Sequence, residues 1–201
     1  DRRARLELAD IRIEQSRHRE AVELLKANIE AGDEDPYTLY LMGIASFGAG
    51  HREQAEIFLR EARERDADFR MGAIELELGR GRLKHGDAAG AREALEALCR
   101  ARPSSVEGKV LRAKAEALAG DRDQARASRD EAWRDYKAAP FFQRRRERLW
   151  AWRARPGRPI AYAAIALAAA FLITQYIAPS LAQAARSSPD LTEPGEPRWD
   201  E

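Results

Sequence analysis

One short pattern, glycine (once serine) followed five residues later by alanine, recurs four times in the first two-thirds of the chain. The copies stand at Ser16/Ala21, Gly50/Ala55, Gly86/Ala91 and Gly120/Ala125. Successive alanines lie 34, 36 and 34 residues apart. A spacing held over three intervals implies one supersecondary unit repeated, each unit completing its core against its neighbours. Between the marks, apolar residues recur at helical spacing, and no stretch alternates with period two. Gly86-Asp87 and Gly120-Asp121 read as stop–start pairs: glycine turns left-handed past one helix and aspartate heads the next. Asp33 through Pro36 closes the first hairpin and leaves proline near a helix start. The expected fold is all-α, a solenoid of about four hairpins over residues 1–138.

The residues around the period resemble the tetratricopeptide repeat. The second unit carries Leu39, Met42, Gly43, Gly50, Ala55, Leu59, Ala62 and Ala67; the third carries Leu78, Gly79, Gly86, Ala91, Leu95, Leu98 and Pro103. The first unit departs at Ser16 and at Asn28, where a small residue is usual. The fourth puts Arg112 and Arg129 at usually apolar places, as expected of a terminal unit with nothing stacked beyond it. The resemblance covers roughly Arg3 to Lys137 and implies a binding module for proteins, lined by the first helix of each hairpin. On that face it places Tyr37, Tyr40, Ile44 and Phe47, then Leu76, Arg80, Leu83 and Lys84, then Val110 and Lys114. One reading is an aromatic pocket with a basic rim, suited to a helix or an acidic extended peptide. The other is that much of this face, Tyr40 and Phe47 included, is internal packing. The carboxylate clamp of some family members is not reproduced: Asp10, Ile44, Arg80 and Lys114 hold its positions.

Ile160 to Ala178 is uncharged and apolar all round, between Pro159 and Pro179. As one helix rising ~1.5 Å per residue it would span ~29 Å, near the hydrocarbon thickness of a bilayer. Residues 159–179 are therefore expected to form a transmembrane helix. The alternative is an alanine-rich core helix buried in a larger assembly. Trp150, Trp152 and Tyr162 lie at one edge and Tyr176 near the other, where amphipathic rings favour the interface. Arg144, Arg145, Arg146, Arg148, Arg153, Arg155 and Arg158 precede the span, whereas the tail after it is acidic. Basic flanks favour the cytoplasmic side, so the repeats are expected in the cytoplasm of a cell with the span in its inner membrane. No secretory signal stands at the start, which agrees with that orientation, although the sequence opens at Asp1. The arginine run of 139–158 has three readings: a topogenic helix beside the membrane, contact with anionic lipid headgroups, or nucleic-acid binding. The interface tryptophans favour the first two. Residues 180–201, rich in serine, proline and acid, are expected to be disordered alone, with Leu191 and Trp199 as anchors for a partner.

Composition narrows the function. The formal net charge is +1, so no global field steers the chain to a polyanion. Cys99 is the one cysteine, which excludes an intrachain disulfide and a thiol-rich metal site. His18, His51 and His85 fall in successive turns, one hairpin apart and too far apart to share an ion. No phosphate-binding glycine loop, nucleophile elbow or zinc-binding helix motif is present. No catalytic residue, metal or cofactor is expected. The alanine- and arginine-heavy usage points to a bacterium. The expected function is a membrane-tethered adaptor, an accessory or assembly subunit of a membrane complex. An envelope-biogenesis factor with its repeats outside the cytoplasm, or a self-assembling tail-anchored protein, are the alternatives.

Overall fold

A computed structural model describes residues 1–178, with the side chains of Arg158, Pro159 and Tyr176 left out. The expected tail of 180–201 lies outside the described residues. Among those described there is no strand. Four hairpins form: α1 (Arg2–Glu14) with α2 (His18–Glu30), α3 (Pro36–Ala49) with α4 (Arg52–Arg65), α5 (Ala73–Lys84) with α6 (Ala88–Ala101), and α7 (Val106–Leu118) with α8 (Arg122–Ala138). The turns follow the sequence pattern closely. Gly50, Gly86 and Gly120 have φ of 93°, 81° and 95°, and Ser16 takes the same left-handed conformation at 59°. Asp35 caps α3 by accepting from the Tyr37 amide, and Asp87 caps α6 by accepting from that of Gly90. Asp121 heads α8 without a side-chain cap and instead accepts from Arg92 Nη1 at 3.1 Å.

Small residues mark where helices touch. A Cβ on Gly43 would lie 2.5 Å from Leu59 Cγ, and one on Gly79 would lie 2.6 Å from Leu95 Cγ. Both leucines are fully buried across their hairpins. Asn28 is also fully buried, and α1 satisfies its amide: Arg5 Nε donates to Oδ1 at 2.8 Å, and Nδ2 donates to the Arg2 carbonyl at 3.1 Å. That explains how a polar residue serves where the repeat usually has a small one.

The 36-residue interval has a visible cause. The connection from α4 to α5 runs from Asp66 to Gly72, longer than the other links between hairpins, and contains the 3-10 turn Phe69–Met71. Arg70 and Met71 are non-glycine residues in left-handed geometry, at φ of 45° and 53°. Arg102 holds them by donating to both of their carbonyls.

Past Ala138 the chain continues the repeat unit as far as Arg155. Helix α9 (Phe141–Ala154) packs on α7 and α8, and the compact unit runs from Asp1 to Arg155. Ala151 and Ala154 are buried, and Trp150 packs against the two C-terminal core clusters. The last hairpin is thus covered, and Arg112 has a different role from the solvated one expected. It pairs with Glu116 and Glu131, while Ser128 donates to Glu116 at 2.7 Å. Lys109, also buried, bonds Glu131 at 2.8 Å and Asp135. A charged lattice here replaces the apolar seam of the other hairpins. Arg129 is exposed, as expected.

Pro156 onward forms the second unit. The apolar run is shared between α10 (Gly157–Leu172) and a π-helical turn, Ile173–Ile177. Among the described residues no helix is long and apolar enough to cross a membrane. The expected single spanning helix is therefore not found: the α-helical part stops at Leu172 after 16 residues, about 24 Å of rise. Ile160, Ile165, Leu167, Phe171 and Ile177 are all exposed in the single chain.

Candidate functional site

The odd-numbered helices form the closer-spaced layer: α1 touches α3, α3 touches α5, α5 touches α7, and α7 touches α9. The expected groove residues lie on this layer but not all on its surface. Phe47 belongs to the core, its ring lying where a Cβ on Gly81 would fall, 2.5 Å from Cζ. Leu83 and Val110 are buried too, and Leu76 packs on the cluster around Leu83. Ile44 is half-buried. Arg80, Lys84 and Lys114 are exposed.

The centre of the face is aromatic. Tyr37 and Tyr40 stack with ring centroids 6.5 Å apart, and Tyr40 meets Phe69 at 5.0 Å. Both tyrosines are half-buried, and Phe69 is buried. Arg70 lies over the Tyr37 ring at 4.4 Å, a cation–π contact. The Tyr37 hydroxyl donates to Asp10 Oδ2 at 2.9 Å. Burial, then that carboxylate, raises the Tyr37 pKa. Burial first, and next the Glu77 charge, push Tyr40 up to about 12. Both phenols stay neutral near pH 7 and can donate hydrogen bonds. No partner for the Tyr40 hydroxyl is found among the described residues.

The expected basic rim is neutralised at Arg80. Arg80 pairs with Glu77 on its own helix and with Glu107 on α7. Glu77 is pushed up by burial despite Arg80 beside it. Lys84 and Lys114 have no ion pair among the described residues and keep the positive character of this face. His18 is less solvated than a turn residue should be: its ring abuts Gly48, and burial, then Lys84, lower its pKa. Cys99 is half-buried as expected, and burial raises its thiol.

The sequence reading missed Phe69, Arg70, Glu77 and Glu107, and gave Asp10 no part in the aromatic cluster. The signal for the first two was the two-residue excess in the middle interval, which the Asp66–Gly72 link absorbs.

The comparisons agree with this geometry. Two of the solved structures that match cover about two-thirds of the chain. "Crystal structure of MamA protein" is 20% identical, with a TM-score of 0.62, covering 68% of this chain and 74% of that one. "Crystal structure of MamA" is 20% identical, with a TM-score of 0.63, covering 69% of this chain and 80% of that one. No family model matches the chain, and no curated protein matches it. At this identity the likeness fixes the fold. That fold is an all-α stack of helical hairpins, in keeping with the tetratricopeptide-like pattern of the sequence.

The residues expected at a membrane interface divide by face of α9. Arg144, Arg145, Arg146 and Trp152 are exposed, whereas Trp150 is turned inward with Arg153 4.4 Å over its ring. Arg155 pairs with Asp130 at 2.7 Å. Arg158 has no described side chain. Exposed Phe141, Leu149 and Trp152 join the arginines, and Arg148 lies 5.4 Å from the Trp152 ring.

Proposed function

We propose that the chain is a scaffold that holds a protein partner on its odd-helix face, and that it works at a membrane surface. The observation that carries the first part is the half-buried Tyr37–Tyr40 pair, held between a strained loop and Asp10. Tyrosines with buried rings and reachable hydroxyls are suited to protein contacts, and non-glycine left-handed residues cluster at functional sites. The neutralised Arg80 changes the expected ligand: mixed charge on this face suits an amphipathic helix better than a purely acidic peptide. Support for the membrane part is the exposed apolar surface of α10 together with the arginine- and tryptophan-bearing outer face of α9. Such faces bind at the headgroup level with or without a span. A cytoplasmic, inner-membrane placement of the repeats and an accessory role in a membrane complex belong to this reading, as does action without catalysis, metal or cofactor.

Affinity purification from native membranes tests it, comparing the wild type with Tyr37→Ala/Tyr40→Ala. One stoichiometric partner, lost with the folded variant, is expected. A partner that survives the substitutions refutes the groove. Flotation of the full chain with anionic vesicles tests the membrane part. Leu167→Asp/Phe171→Asp should abolish flotation, and unchanged flotation refutes the α10 contact.

A further inference from the structure

The groove leaves unused a recess near the C-terminal end of the repeat unit. A cleft of about 500 Å³ opens between the Met71 loop, the start of α7 and helix α9. Met71, Phe142 and Trp150 are its apolar walls. Met71 and Phe142 are 66% and 70% exposed, so two of the three walls lack a cover.

The polar groups of the cleft are unevenly satisfied. Arg102 spends its donors on the Arg70 and Met71 carbonyls. Ser105 caps α7 by accepting from the Gly108 amide. Glu107 accepts from Arg80 through one oxygen, Oε1. Glu147 is the exception. Its Oε1 receives a long contact from Gln143 Nε2, at 3.4 Å, while Oε2 is shut from solvent with no donor. Burial is the main influence raising the Glu147 pKa; Gln143 and Arg146 oppose it, and the charges of Glu107 and Asp135 reinforce it. Arg146 is exposed at the rim and makes no bond to Oε2. A buried carboxylate oxygen without a donor is costly, and a cation placed against it would relieve both the missing bond and the repulsion from Glu107.

We infer that this cleft receives a lysine or arginine side chain from a protein partner, with the Glu147 carboxylate, turned so that Oε2 opens to the cleft, as its acceptor and Phe142, Met71 and Trp150 packed along its methylene stem. The inference rests on the scaffold reading and specifies the chemistry of the partner, at a place separate from the tyrosines. Long cationic side chains combine an apolar stem with a charged head, which is the combination the walls and the carboxylate present.

The test is titration of the ¹⁵N-labelled full chain, in zwitterionic detergent, with Ac-Leu-Arg-Leu-NH₂. Its citrulline counterpart keeps the shape and removes the charge; a glutamate counterpart reverses the charge. The arginine peptide should bind at least tenfold more tightly than the citrulline peptide, and shift the amides of Gln143, Glu147 and Gly108 and the Trp150 indole. Glu147→Gln, which keeps the fold, should erase the tenfold preference. Tyr37→Ala/Tyr40→Ala should leave it intact, so that failure of the groove and failure of the cleft are read separately. Equal binding of arginine and citrulline peptides, preference for glutamate, no saturable binding, or an unchanged preference in Glu147→Gln would each overturn the inference.

Discussion

Lys109→Met is the most demanding test of how the last hairpin is held. Lys109 is 4% exposed, and its ammonium lies between Glu131 and Asp135 of α8. Methionine keeps most of the stem volume and removes the charge, leaving two carboxylates facing one another. Removing one member of a buried pair costs about 3–5 kcal/mol. Here the partners retain 40% and 29% side-chain exposure, and Arg112 still reaches Glu131 at 2.9 Å. Water and Arg112 can absorb part of the loss, so the lower end, about 3 kcal/mol, is expected. In a unit of this size that lowers Tm by roughly 6–12 °C. Thermal and urea unfolding followed by far-ultraviolet circular dichroism would measure it. Lys109→Met/Asp135→Leu, which removes the stranded carboxylate, should recover more than half of the loss. A single-variant loss below about 1 kcal/mol, or a double variant as unstable as additivity demands, refutes the idea of a coupled lattice. The pH dependence has a definite sign. Burial would lower Lys109, but Asp135 and Glu131 outweigh it and raise its pKa; Lys109 lowers that of Glu131. The lysine contribution is full below its ordinary pKa and is lost as pH rises through the raised value. The glutamate contribution is full above its ordinary pKa and is lost as pH falls through the lowered one. The stability difference between wild type and Lys109→Met should therefore be flat from about pH 5 to 10 and shrink outside that window.

Three shorter predictions concern the turns, the helix contacts and the cleft. Gly43→Ala should destabilise by about 1–3 kcal/mol through overpacking against Leu59, read as a lower urea midpoint at unchanged slope; no change would mean the helices separate freely. Ser16→Gly should stabilise by about 1 kcal/mol, by relieving left-handed strain at a non-glycine residue, and a lower Tm would contradict that. Glu147→Gln should raise Tm at pH 7. The raised carboxyl pKa means native stability falls as pH rises through the titration, so the advantage of the variant should vanish below the ordinary carboxylate range.

The fold was readable because its punctuation is local. Glycine at the turns, alanine in the second helices and Gly43 or Gly79 opposite leucine each act within one hairpin, and a period exposes them. What escaped depends on residues far apart in sequence. Arg112 looked like a solvated terminal residue because Glu131 lies 19 positions away. The packing of α9 on the repeats was not legible because its inward side consists of two alanines and a tryptophan, a stripe too narrow to show among five arginines. Phe47 and Tyr40 share a helix, and only the position of Gly81 on the next hairpin decides which one is core. The apolar run of 160–178 was read by composition, which does not report where α-helical bonding gives way to a π-helical turn.

The long link from Asp66 to Gly72 also bears on cooperativity. Helices α4 and α5 meet over a smaller interface than α2 with α3 or α6 with α7. In a linear array, nearest-neighbour coupling determines where one unit can open without the next. The array is therefore scored at its middle into two pairs of hairpins. Across the seam the Arg102 guanidinium, two carbonyls and one aromatic cluster act as a latch. A partner seated on Tyr37 and Arg70 would grip both sides of that latch, so binding and the rigidity of the repeat unit become one property.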